Sequence, residues 1–185
     1  MAQIKKINTP LTEEIIESLH AGDRVAITGV IYTGRDAAHK RLVQTIAEGK
    51  PLPVEINGQT IYYVGPCPAK PNQAIGSCGP TTSGRMDTYS PILLDQGQKG
   101  MIGKGPRNQS VIDAMKRNKA VYFAAIGGAG AVIARTVRKA QVVAYEDLGP
   151  EAIHRLEVVD FPCIVVIDCA GNDLYKIGPE KFRQA

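Results

Sequence analysis

Apolar positions along the chain alternate between a period of two and the wider period of a helix. Leu11, Ile15, Ile16 and Leu19 share one face of a helix expected over 9–20, with Thr9 as its cap, Pro10 in its first turn and Gly22 as its stop. Arg24 to Tyr32, RVAITGVIY, is a β-rich run with short alternation. The turn Thr33-Gly34-Arg35-Asp36 follows, with Asp36 the expected cap of a helix over 37–48, ended by Gly49-Lys50-Pro51. Prolines 51, 53, 66, 68 and 71 punctuate the next stretch, where strands are expected at 52–56 and 59–64, hinged at the hairpin dipeptide Asn57-Gly58. A helix over 84–97, a short strand at Met101-Ile102, the turn Gly103–Pro106 and a helix over 108–118 come next. Val121 to Ile126 reads as a buried strand, Gly127-Gly128-Ala129-Gly130 as a glycine turn and 131–138 as a helix. Strands at Val142–Tyr145 and Cys163–Asp168 flank a helix over 150–155, and Asn172 turns the chain before a last strand, Leu174–Ile177.

Strand, turn and helix recur without an internal repeat or linker, which predicts an α/β fold. The hairpins expected at 52–64 and 163–177 predict a mixed sheet rather than a purely parallel one. At 185 residues the chain is expected to form a single domain over 1–185, with aliphatic side chains filling a core that has no Trp to draw on. The net charge of +4 comes without any run of five Lys or Arg, and aromatics are scarce, so a nucleic-acid surface is not indicated. The sequence MAQIKKINTPLTEEI has no apolar signal core and the longest apolar runs are far below a membrane span, so no membrane role and a cytoplasmic setting are expected. Cys67, Cys78, Cys163 and Cys169 fit neither zinc nor iron–sulfur spacing and read as buried or incidental thiols, with no metal site on this chain. Cys78 stands out only because it precedes the next feature.

Residues 79–86, GPTTSGRM, put two hydroxyls, loosened backbone and an arginine at what reads as a helix start, a natural receptor for carboxylate or phosphate. The junctions at 32–37, 79–85, 102–108 and 126–131 share one grammar of strand, glycine turn and helix start. Ligands gather at such junctions in α/β folds. Arg35, Arg85 and Lys104 stand at three of them, which points to a substrate with more than one negative group. Blander roles stay open beside each: a surface pairing of Arg35 with Asp36, helix capping by Thr81 and Thr82, an ordinary turn for Lys104, and a structural His39 one helical turn past Arg35. Asp36 and Asp87 adjoin arginines they are placed to orient. The glycines at 127–130 lack dinucleotide spacing and read best as close packing.

The stretches GPTTSGRMDTY, YTGRDAAHKR, MIGKG and EDLGPEAIHRLEVVDFPCIVVIDCAGND resemble the β subunit of class I, iron–sulfur-dependent fumarate hydratase and its sibling, the L-tartrate dehydratase β subunit, from about residue 7 to 177. That resemblance implies a swivelling β/β/α domain and a hydro-lyase interconverting (S)-malate and fumarate. It implies a [4Fe–4S] cluster held by a partner α subunit, in an α2β2-like assembly active only when both subunits meet. By motif position Arg35, Arg85 and Lys104 would hold the substrate carboxylates, Thr81 would be the proton-transferring base with Thr82 beside it, and Asp36 and His39 would lie near that pocket. Tartrate is the alternative substrate. The alternative from another class is a non-catalytic domain binding an anion, or a nucleotide at 127–130.

Overall fold

The computed structural model describes residues 3–180 and 183. The chain opens with a strand, β1 (Lys5–Thr9), and a short helix, α1 (Glu13–Glu17). Residues 5–9 alternate, with Ile7 buried, and pair in parallel with β2 (Arg24–Thr33). That strand takes Thr9, the cap expected for a helix over 9–20; the helix forms only over Glu13–Glu17 and is capped by Thr12, whose hydroxyl accepts from the Ile15 amide at 3.3 Å. Helix α2 (Asp36–Ala47) begins as expected, but Arg35 occupies the cap position and Asp36 the first helical residue.

Only Thr60–Tyr62, β3, is a strand in the proline-rich stretch, and it pairs in parallel with β2 and with β4 (Gly100–Gly103). No hairpin forms at 52–64. Asn57-Gly58 does turn, but its backbone bonds go to Leu11 and Gly97 instead of across two adjacent strands. The helix expected over 84–97 is split into a 3-10 turn, Ser83–Met86, and α3 (Ser90–Asp95). Pro91 has no amide to continue a helix and suits only a first turn, so the helix restarts there.

Helix α4 (Gln109–Asn118) is capped by the Asn108 side chain, and β5 (Val121–Ala124) follows. Helix α5 (Gly130–Ala134) stops short of 138 because β6 (Val137–Ala144) begins, pairing antiparallel with β7 (Ile153–Ile167). A 3-10 turn, Glu146–Glu151, stands where part of the helix over 150–155 was expected. No strand forms at 174–177. The Asp168 carboxylate gathers the amides of Ala170 and Asn172 into a tight turn, and α6 (Leu174–Glu180) follows.

The 7-stranded mixed sheet runs β1-β2-β3-β4-β5-β7-β6, and a further pairing of β2 with β7 closes β2, β3, β4, β5 and β7 into a ring. The long β7 is antiparallel to both β2 and β5. The mixed α/β architecture is the one the sequence predicts. Successive residues feed opposite faces: Tyr62, Ile102 and Phe123 join one apolar cluster with Ile16 and Ile133, and Ile61, Met101 and Tyr122 join another with Leu42, Leu93 and Met115. The first cluster gathers side chains from all five strands of the ring, the second packs the opposite face against α2, α3 and α4, and each fully buried aliphatic contributes on the order of 2 kcal/mol. Among the described residues no helix is long and apolar enough to cross a membrane.

Candidate functional site

Because β2, β3, β4 and β5 run parallel, their carboxyl ends deliver four loops to one edge of the sheet. The Tyr63 amide donates to Ile102 O, and the Tyr63 carbonyl accepts from the Thr81 amide at 2.8 Å. One residue on, Thr82 pairs in parallel with Lys104. The Ser83 amide donates to Lys104 O at 2.9 Å, and the Lys104 amide donates to Ser83 Oγ at 3.1 Å. This seam needs Gly103, where a Cβ would lie 2.0 Å from Ser83 Oγ. The Lys104 stem passes the glycine turn, 3.9 Å from the place a Cβ on Gly127 would take.

Thr82, Arg85 and Lys104 are exposed along this seam and Thr81 is half-buried. No α-helix starts at 79–85. The turn carrying Arg85 is 3-10 and four residues long, and the amides of Thr81 and Ser83 are already bonded to carbonyls. The groups this seam presents are therefore hydroxyls and cations rather than the free amides of a helix end. The Arg85 and Lys104 side chains form no ion pair or hydrogen bond among the described residues.

Arg35 lies against Gly65, two residues past the Tyr63 that bonds Thr81: a Cβ at Gly65 would be 3.0 Å from its Nη1. Its Nη2 is 3.3 Å from Glu151 Oε1, and its Nε is 3.9 Å from Asp36 Oδ1. Nε and Asp36 Oδ1 are both buried without a hydrogen-bond partner, so the arginine has an unused donor. Asp36 does adjoin Arg35 as expected. Asp87 does not serve Arg85.

His39 lies beneath the rim, fully buried, rather than on it. Its Nδ1 is 2.9 Å from the Arg35 carbonyl and its ring packs edge-on to Tyr63, with centroids 5.3 Å apart. Burial drives its pKa down from 6.5 to about 4, so the ring is neutral near pH 7, and Nε2 has no partner.

The residue that sequence reasoning missed is Arg107. Its side chain is fully buried, Nε donates to Asp87 Oδ1 at 2.6 Å and Nη2 donates to Ser90 Oγ at 2.7 Å. The guanidinium carbon is 5.4 Å from the centroid of the Tyr63 ring and 5.1 Å from that of Tyr122. The other Asp87 oxygen accepts from the Asn108 amide at 2.7 Å. Tyr122 Oη bonds Ser83 Oγ at 2.8 Å and Gly105 O at 2.9 Å. Only the lack of an opposite charge within a helical turn of Arg107 hinted at a distant partner.

Cys78 is buried beside the glycine turn, its amide bonded to Gly130 O at 3.2 Å, and burial pushes its thiol up to about 11. A Cβ on Gly130 would lie 2.8 Å from Gly79 N, so close packing accounts for the glycine there. Cys163 is buried, Cys169 half-buried and Cys67 exposed; all four thiols are free. Among the described residues no three His, Cys, Asp or Glu side chains gather as metal ligands.

The family model described as Fumarase C-terminus matches residues 2–178. The chain is 40% identical over 174 residues to the anaerobic class I fumarate hydratase of Escherichia coli K12, covering 92% of this chain and 32% of that protein. It is 40% identical over 175 residues to the aerobic class I enzyme of Salmonella typhimurium LT2, covering 92% of this chain and 30% of that protein. Across such fumarate hydratases the chain spans about a third of the relative's length. Against the putative L(+)-tartrate dehydratase subunit beta of Methanocaldococcus jannaschii it is 36% identical over 172 residues, 90% of this chain and 88% of that one.

Proposed function

The chain belongs to the fumarase C-terminus family, and from that premise we propose that it is the β-type part of a [4Fe–4S] hydro-lyase interconverting (S)-malate and fumarate in the cytoplasm. In this reading Arg35, Arg85 and Lys104 hold the carboxylates of a small dicarboxylate. Thr82 and Asp36 stand beside them, and His39 supports Arg35 from below. The observation that carries the reading is the seam of Thr82 with Lys104, which sets a pair of hydroxyls and two cations without a partner among the described residues along one loop edge.

The chemistry follows from those groups. Removing the proton from the carbon beside a carboxylate drives negative charge onto that carboxylate's oxygens. Fixed guanidinium and ammonium groups stabilise the charge as it builds. Thr81 Oγ takes the proton as an alkoxide, its own hydroxyl proton having first passed to solvent. A threonine hydroxyl is a weak base, and neighbouring cations favour its ionised form. The Thr81 amide bond to Tyr63 O fixes the backbone, so the side chain turns on a settled anchor.

The cysteines of this chain are too scattered to hold a cluster, so the [4Fe–4S] group is assigned to a partner α subunit, in an α2β2-like assembly. Departure of the hydroxyl is left to that partner, and the chain alone turns nothing over. A relative named as a subunit beta supports this division of labour. The same relative makes tartrate the second reading.

Anaerobic co-purification with the α partner, followed by malate and tartrate dehydration assays, tests the proposal. Malate turnover that is lost in Thr81→Ala and Arg85→Ala, with complex and cluster intact, is the expected result. Turnover of tartrate alone moves the chain to the second reading. Turnover of neither by an intact, cluster-loaded complex rejects both.

A further inference from the structure

The loops that carry Thr81, Thr82, Arg85 and Lys104 rest on a buried polar layer, and Arg107 is its centre. The guanidinium reaches Asp87 and Ser90, which flank the 3-10 turn bearing Arg85 on its C-terminal side. Ser90 Oγ in turn donates to Met86 O at 2.9 Å. Arg107 itself belongs to the loop after β4, three residues beyond Lys104, and Asn108 is drawn to the same Asp87 carboxylate. Its Nη1 faces Tyr63 Oη at 3.5 Å and Met101 Sδ at 3.3 Å. Tyr63 is the residue whose carbonyl anchors Thr81 and whose ring packs on His39, which bonds the Arg35 backbone. On the far side of the guanidinium, Tyr122 joins Ser83 to Gly105, the two residues that bracket the Thr82–Lys104 seam.

We propose that Arg107 is a positioning residue for the hydro-lyase reaction: its fork sets the distance between the threonine loop and the lysine loop, and so the place of Thr81 Oγ relative to the bound carboxylates. The inference rests on the function proposed above. Arg107 meets Asp87, Tyr63 and Ser90 with three different nitrogens, Nε, Nη1 and Nη2, whereas a lysine carries all its donors on one atom at the end of a flexible stem and cannot hold the three partners at those separations. Bulk stability alone does not call for the arrangement, since buried ion pairs are often replaceable by apolar residues without loss. A multiply anchored cation under two loops is instead what sub-ångström placement of a reacting group requires, and misplacement by about 1 Å costs up to about a hundredfold in rate.

The test uses the assembled, cluster-loaded enzyme carrying Arg107→Lys or, separately, Tyr122→Phe. The second variant removes one hydroxyl from the layer and leaves every charge in place, so it guards against a first variant that fails to assemble. The readouts are kcat and KM for malate and the kinetic isotope effect with malate deuterated at the carbon that loses its proton. The expected result is a kcat lower by about tenfold or more for Arg107→Lys and by about threefold for Tyr122→Phe, with KM within about threefold of the parent. The isotope effect rises in both, because proton transfer to a misplaced Thr81 becomes slower relative to the other steps. A merely structural role lowers the amount of enzyme but leaves the isotope effect of the surviving enzyme unchanged. Parent-like kcat and isotope effect in Tyr122→Phe, together with either parent-like kinetics or failed assembly in Arg107→Lys, overturns the inference while the hydro-lyase reading stands. A parent assembly that turns over neither malate nor tartrate overturns both.

Discussion

The carbonyl oxygen of Tyr63 accepts the amide of Thr81 at 2.8 Å, so the end of β3 fixes the first threonine of the GPTTSGRM loop by its backbone alone. The side chain takes no part in that anchor, which separates its chemistry from its structure.

Thr81→Val should therefore leave the fold and the assembly intact and remove the hydroxyl only. The expected outcome is a kcat for malate at least about a hundredfold lower, the scale of a lost acid–base group, with KM little changed. Thr81→Ser keeps the hydroxyl and should retain activity within about tenfold of the parent. Steady-state kinetics of the assembled enzyme decides it.

Arg85 and Lys104 are exposed and make no side-chain bond among the described residues, so neither contributes through a native contact. Arg85→Ala and Lys104→Ala should shift unfolding free energy by no more than about 0.5 kcal/mol. Both should weaken binding of a non-reacting dicarboxylate about tenfold or more, read as a raised inhibition constant, and both should lower kcat for malate as well, most severely Arg85→Ala, because the same cations meet the charge that builds during proton removal. Large losses of stability in either variant would contradict the free placement of the two cations.

His39 gives the fold a pH dependence of definite sign. Its folded-state pKa is depressed, from 6.5 to about 4, chiefly by burial. Between those values the unfolded chain binds the proton and the folded chain does not, so stability is full above pH 6.5 and falls as the pH drops towards 4. The full difference is on the order of 3 kcal/mol. Urea unfolding of the chain at a series of pH values measures it, and His39→Gln should flatten the slope in that window.

Gly103→Ala should break the seam between the two loops, because the new methyl would meet Ser83 Oγ at 2.0 Å. Ser83 would have to leave Tyr122 and the Lys104 amide. A loss of about 1–3 kcal/mol, typical of overpacking, is expected from thermal or urea unfolding. Adding Ser83→Gly removes the obstructing hydroxymethyl but not the Tyr63 ring, which the methyl would meet at 2.9 Å, and it takes a partner from Tyr122, so only part of the stability should return and the activity should not.

Local signals were legible wherever one residue type has a single strong use. The helix expected over 108–118 forms at 109–118, and the strands at 24–33 and 121–124 showed as short β-rich runs. The cations at Arg35, Arg85 and Lys104 were legible as junction residues. Asn57-Gly58 misled because a turn dipeptide specifies the bend and not the partners, and here Gly97 and Leu11 supplied them. The 174–180 helix was read as a strand because the Asp168 turn that redirects the chain depends on side-chain bonds invisible to periodicity. Arg107 was illegible for a related reason: Asp87, 20 residues away in sequence, becomes its neighbour only when β4 is laid beside β3.

Cys78 and Cys163 are sealed in the core, and burial makes both thiols weaker acids than a free cysteine. The thiolate is the form that oxidants attack, so both are slow to age in air, and damage to this chain begins at exposed Cys67. Air exposure should therefore mark the surface of the chain before it touches the core, so the modification state of Cys67 records how long a sample has been kept.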